Sequence, residues 1–152
     1  MAPAWSPLSW SLFFRTLSFG YMIDPHLHER LLRKIQIRER FESELRKEFG
    51  DEPGLDESLS RLKSQGFLDD RRAAEAFVRA KGPASRTYLE TLLVEKGVDA
   101  SEILADHDDM ASARAIVEKR KNDPPARVAR YLASRGFEAD VIESVIAFPN
   151  TE

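Results

Sequence analysis

Two stretches of this chain match one another with a shift of 39 residues. Leu89-x3-Leu93-x2-Lys96-Gly97-Val98-x4-Ile103 is repeated, anchor for anchor, by Val128-x3-Leu132-x2-Arg135-Gly136-Phe137-x4-Ile142. An imperfect earlier copy runs from Leu45-x3-Phe49 to Gly54-Leu55 and Leu59, about 43 residues upstream of Gly97. Apolar residues three and four apart, then glycine and another apolar residue, describe a helix, its left-handed stop and the start of a second helix. A further helix precedes each copy, so the repeating unit has three helices and about 40 residues. A unit that small cannot bury a stable core alone, and neighbours must stack and share apolar surface. The expected fold is therefore all-α, with tandem three-helix repeats stacked into an elongated, curved array.

The rest of the chain agrees. From residue 29 onward apolar residues keep helical spacing: Leu31 and Ile35; Phe41, Leu45 and Phe49; Leu55, Leu59 and Leu62; Ala74, Phe77 and Val78; Met110, Ala113, Ile116 and Val117; Val141, Ile142, Val145 and Ile146. No stretch alternates as a strand would. Gly54, Gly66, Gly97 and Gly136 stand where helices should end, while Asp69-Asp70, Ser85, Asp108-Asp109, Asp123-Pro124 and Asp140 suit helix starts. These signals place repeat one at 23–66, repeat two at 67–106, repeat three at 107–148 and a short tail at 149–152.

The first 22 residues are different in kind. Met1 to Tyr21 holds six of the fourteen aromatic residues and one charge, Arg15. Arg15, four serines and two prolines interrupt any membrane span, and neither the charge nor the cleavage pattern of a secretory signal is clear. The segment is expected to lie outside the fold, with translation starting at Met22. A membrane-surface or partner-binding helix and a signal are the alternatives.

Cysteine is absent, which excludes disulfides and thiolate-bound metal centres. The net charge is −3, so overall basicity does not point to nucleic acid. Positive charge is nevertheless clustered. Arg30, Arg33, Lys34, Arg38 and Arg40 have only Glu39 among them, and Arg114, Lys119, Arg120, Lys121, Arg127, Arg130 and Arg135 stand against Glu118 and Asp123. Arg30, Lys34 and Arg38 recur every four residues and should form one stripe on the first helix. Such patches can meet a polyanion or an acidic partner; equally, they can pair with nearby carboxylates and keep a face wet.

Three segments resemble the RecX family over roughly residues 29 to 147. Arg38-Glu39-Arg40-Phe41-Glu42-Ser43-Glu44-Leu45 is similar to the family's opening R-x-R-S-x-x-E-L. Gln65-Gly66-Phe67-Leu68-Asp69-Asp70-Arg71-Arg72-Ala73-Ala74-Glu75-Ala76-Phe77-Val78 is similar to G-L-L-D-D-x-x-F-A-x-x-F/Y-V. Tyr131-Leu132-Ala133-Ser134-Arg135-Gly136-Phe137 with Val141-Ile142 is similar to the closing F-L-x-R-R-G-F-x-x-x-x-I. Three departures stand out. Phe41 occupies the place of a capping serine, Ala73 replaces an aromatic residue, and Ser85 to Val98 keeps the apolar frame of a usually basic middle unit while losing most of its charge. The resemblance implies a non-catalytic, cytoplasmic and monomeric regulator without a cofactor. Its implied partner is the RecA filament, with DNA inside the filament as a further contact, and its implied effect is to restrain recombinase, ATPase and coprotease activity in recombination, DNA repair and the SOS response.

No phosphate loop, nucleophile elbow or paired catalytic carboxylates appear. His26-x-His28 lacks a third metal ligand nearby, and Asp106-His107-Asp108-Asp109 suits helix capping better than calcium, because the glycine and distant glutamate of a calcium loop are missing. The residues expected to meet the filament or phosphates are Arg30, Arg33, Lys34, Arg38, Arg40, Arg71, Arg72, Arg127, Arg130 and Arg135. The competing function is a direct DNA-binding repeat protein using these basic patches. A membrane-associated adaptor is suggested only by the aromatic leader.

Overall fold

The structure, a computed structural model, describes residues 23–147. The expectations for the aromatic leader, its start site and the tail fall outside those residues. Among the described residues there are eight helices and no strand: α1 (Pro25–Ile37), α2 (Glu42–Phe49), α3 (Leu55–Ser64), α4 (Asp70–Lys81), α5 (Arg86–Glu95), α6 (Asp109–Lys119), α7 (Pro125–Ser134) and α8 (Ala139–Ala147). The chain divides into two compact units between Leu68 and Asp69.

In the first unit, Asp24 accepts the His26 N–H at 2.9 Å and Pro25 sits in the first turn, so α1 begins with its orphan donors reduced. Leu27 and Leu31 of α1 meet Leu45 of α2 and Leu55, Leu59 and Leu62 of α3, with Leu68 closing the cluster. Each fully buried leucine contributes about 2 kcal/mol of transfer free energy. Phe41 is the N-cap of α2 without a side-chain capping bond, and its ring is buried. Hydrophobic anchoring thus replaces the hydroxyl cap. Ser58, fully buried in α3, stands where α5 and α7 carry Leu89 and Val128.

The second unit starts with the Asp69 carboxylate accepting from the N–H groups of Arg71 and Arg72 at 2.9 and 3.1 Å. Ser85 caps α5 through the Tyr88 N–H, and Asp108 caps α6 through the Ala111 N–H. The core of α6, α7 and α8 is Ala113, Ile116, Val128, Leu132, Phe137 and Val145.

Three sequence expectations need correcting. Gly54 does not end a helix; it is the left-handed N-cap of α3, and α2 ends at Gly50. The closure shared by Gly97 and Gly136 occurs instead at Gly66, where the N–H of the following residue reaches back five positions: Phe67 to Leu62, Val98 to Leu93 and Phe137 to Leu132. Second, residues 101–106 form turns rather than a helix. Asp99 holds Ser101 at their start, one bond joins Leu104 N–H to Ala100 carbonyl, and His107 is drawn away to the Ala84 carbonyl. Too few residues remain to complete a helix. Third, α1 stops at Ile37 and Arg38 is extended, so Arg38 is not on the stripe of Arg30 and Lys34.

Candidate binding site

The cations of the first unit meet carboxylates from neighbouring elements. Arg30 pairs with Glu52 at 2.5 Å while its guanidinium lies 4.9 Å from the centre of the Phe49 ring. Arg33 pairs with Glu29 one turn earlier, Lys34 with Glu48 at 2.6 Å, and Arg38 with Glu44 at 3.2 Å. Arg40, the least exposed of the five, lies between Glu44 and Glu48. The hydrogen bond from Lys34 holds the Glu48 carboxyl below the ordinary carboxylate range, and Arg33 does the same for Glu29. Exposed pairs of this kind add little stability. Their main effect is to cancel most of the field that the sequence count suggested, because Glu44, Glu48 and Glu52 lie outside the counted stretch.

In the second unit the expected residues divide. Arg71 pairs with Glu75 and Glu102 at 3.4 and 3.3 Å, and Arg127 lies 3.6 Å from Asp123. Arg72 sits half-buried in the first turn of α4. Arg130 is exposed on α7, and no hydrogen bond or ion pair holds its side chain among the described residues.

Arg135 is internal architecture. Its guanidinium donates to the carbonyls of Lys81 and Pro83 and lies 5.4 Å from the centre of the Tyr88 ring, while its own carbonyl accepts the Ser85 N–H at 3.1 Å. Gly136, next in the chain, has φ +81° and lets Ser85 and Tyr88 close over it. The histidine of the acidic run makes a second tie. His107 Nε2 faces two acceptors, the Ala84 carbonyl at 2.9 Å and Asp109 at 3.3 Å, so that nitrogen carries the proton. Asp109 in turn accepts the Arg86 N–H at 2.7 Å. His26 and His28 both lie within α1. Among the described residues no group of three or more His, Asp or Glu is placed to hold a metal ion.

A cavity of about 390 Å³ opens beside this clasp, lined by Lys81 at the end of α4, by Pro83 just after it, and by Ile116, Lys119, Arg120, Asp123, Tyr131 and Arg135. The Arg120 guanidinium stacks on the Tyr131 ring at 3.8 Å and is steadied by Asp123 at 2.9 Å. The sequence names Lys119 and Arg120 within a basic stretch. Nothing in it joins them to Lys81, which the fold brings from another helix.

Residues 107–146 match the family model of the third three-helix domain of RecX. A regulatory protein RecX from Chromobacterium violaceum is 34% identical over 139 residues, spanning 84% of this chain and 91% of that protein. The chain belongs to the RecX family. A second RecX relative, from Thermus thermophilus, is 33% identical over 118 residues, with 73% of this chain and 80% of its own length aligned. The crystal structure of a regulatory protein RecX superimposes with a TM-score of 0.58 at 21% identity, covering 90% of this chain and 86% of that one. That likeness supports the all-helical RecX fold of repeated units. RecX relatives are named as regulatory proteins, and no helix among the described residues here is long and apolar enough to cross a membrane.

Proposed function

We propose that this RecX-family chain is a cytoplasmic, non-catalytic regulator that binds the RecA filament and restrains its recombinase, ATPase and coprotease activities. The reading rests above all on alignment with a regulatory protein RecX over nearly the whole of that relative. Helical modules at 23–66, 67–106 and 107–148 would each supply modest contacts, and a repeating filament offers equivalent sites to successive modules. Of the residues expected at the interface, Arg30, Arg33, Lys34, Arg38, Arg71 and Arg130 keep exposed side chains or exposed ion pairs that a partner can exchange. Arg40, Arg72, Arg127 and Arg135 complete the proposed set, although the Arg135 guanidinium is already occupied within the protein.

The test is the single-strand-dependent ATPase of RecA with this protein added below stoichiometry. Inhibition without competition for the strand is the expected result. An unaffected ATPase at equimolar protein overturns the proposal. Inhibition that disappears when excess strand is supplied would assign the effect to direct DNA binding instead.

A further inference from the structure

We propose that the outer face of α5, formed by Thr87, Thr91 and Val94, is a protein-docking surface that seats an aliphatic patch rimmed by lysine or arginine. The inference rests on the filament reading above, under which that patch belongs to RecA. The three residues recur at helical spacing opposite the buried Leu89 and Leu93. All three are exposed, Val94 by 67%.

One exposed valine is ordinary on a protein surface. A line of three β-branched residues on the solvent side of a helix is not. Lysine, glutamate or alanine would favour the helix more, because β-branched side chains lose rotamer freedom against the preceding turn. The same stiffness lowers the entropy lost when a partner covers them. Thr91 is also prepared for cover. Its hydroxyl donates to the Thr87 carbonyl at 2.9 Å, so burial strands no donor and the methyl group remains for contact.

The equivalent helices show that the choice belongs to this repeat. In α7, 39 residues on, the same places hold Ala126, Arg130 and Ala133. In α3, aligned through Gly66 and Gly97, they hold Asp56, Ser60 and Lys63, whose charges are already engaged by Arg46 and Glu42. Of the three helices only α5 presents no charge along this line. Its charge lies at the margins and is negative. Glu90 on one side is engaged by Arg86 at 2.8 Å, Glu95 on the other makes no ion pair among the described residues, and Asp99 follows in the next turn. An aliphatic centre with carboxylates beside it complements aliphatic side chains flanked by cations, and it repels phosphate. A middle repeat that has lost most of its positive charge thus keeps a contact of its own. The line is about 10 Å long, a modest patch suited to one module among several.

The test is Thr91→Lys/Val94→Lys in the full chain, read by half-inhibition of the single-strand-dependent ATPase of RecA. Both changes improve helix propensity, and the one at 94 adds a cation four residues after Glu90, so the Tm should be unchanged or raised. Half-inhibition should nevertheless require at least about tenfold more protein. Equal inhibition by the variant overturns the docking face and leaves the filament reading standing, whereas no inhibition by the native protein brings down both. Stronger inhibition by the variant overturns the face in favour of contact with the nucleic-acid strand. The chain has no cysteine, so Val94→Cys supplies a unique thiol without a change of charge. Its alkylation should slow at least about fivefold when the RecA filament is present, as expected of a desolvated contact. An unchanged rate overturns the face, however the lysine variant behaves.

Discussion

Gly136 meets two demands at once. Its φ of +81° lies in the left-handed region, and a Cβ built there would come within 2.6 Å of the Ser85 hydroxyl and 2.8 Å of the Tyr88 Cβ. Alanine would therefore suffer both conformational strain and overpacking, together about 3 kcal/mol. Urea unfolding of Gly136→Ala should show a loss of that order; a loss below about 1 kcal/mol would mean that α5 does not press on this turn. Gly66 has a similar backbone angle with open space around it, so alanine there should cost only the strain. The sequence announces both glycines by their place after a helix, but not the difference between them. The atoms crowding Gly136 come from about fifty residues upstream, and no local pattern encodes that approach. Arg135 is similar: its position in a basic stretch suggests a partner, whereas its hydrogen bonds go to carbonyls 52 and 54 residues away.

Helix starts were the most readable elements. Asp69, Ser85 and Asp108 each cap the helix that the sequence assigns to them, because a short oxygen-bearing side chain satisfies the first-turn donors locally. Residues 101–106 look helical in sequence and form turns in the structure, since buried Ala100 and Leu104 keep helical spacing over a single turn that does not propagate. The pairs Arg33–Glu29 and Arg46–Glu42 lie one turn apart on their own helices and are legible from spacing, whereas Arg30, Lys34 and Arg38 take carboxylates from α2 or the turn after it, which no local pattern announces. Glu42 shows the energetic side of this. Burial pushes its carboxyl up, but hydrogen bonds from Lys63 and Arg46 outweigh burial and hold it below the ordinary carboxylate range. A carboxyl with a folded-state value below its unfolded one stabilises fully above the unfolded value and loses that contribution as pH falls through the folded value. Resistance to thermal unfolding should thus weaken between about pH 5 and about pH 3, with Glu48 and Glu29 adding to the slope. Glu42→Gln should lower the Tm at neutral pH and flatten that slope; an unchanged slope would exclude Glu42 as a contributor.

For the whole molecule, the balance of charge matters more than any one cluster. Reversing Arg30, Lys34 and Arg38 to glutamate would take the partner from Glu52, leave Glu44 and Glu48 to Arg40, and turn that face acidic. If this face meets the filament, half-inhibition of RecA should require at least about tenfold more protein, with stronger dependence at low salt. Unchanged inhibition would move the interface elsewhere. The second unit carries a different consequence. Lys81, Pro83, Ala84 and Ser85 are translated well before His107 and Arg135, the groups that satisfy or draw on their backbone. As the chain leaves the ribosome, the segment around α5 must wait for its closing residues, so a nascent chain halted near residue 106 would hold one finished module and one unclosed module behind it.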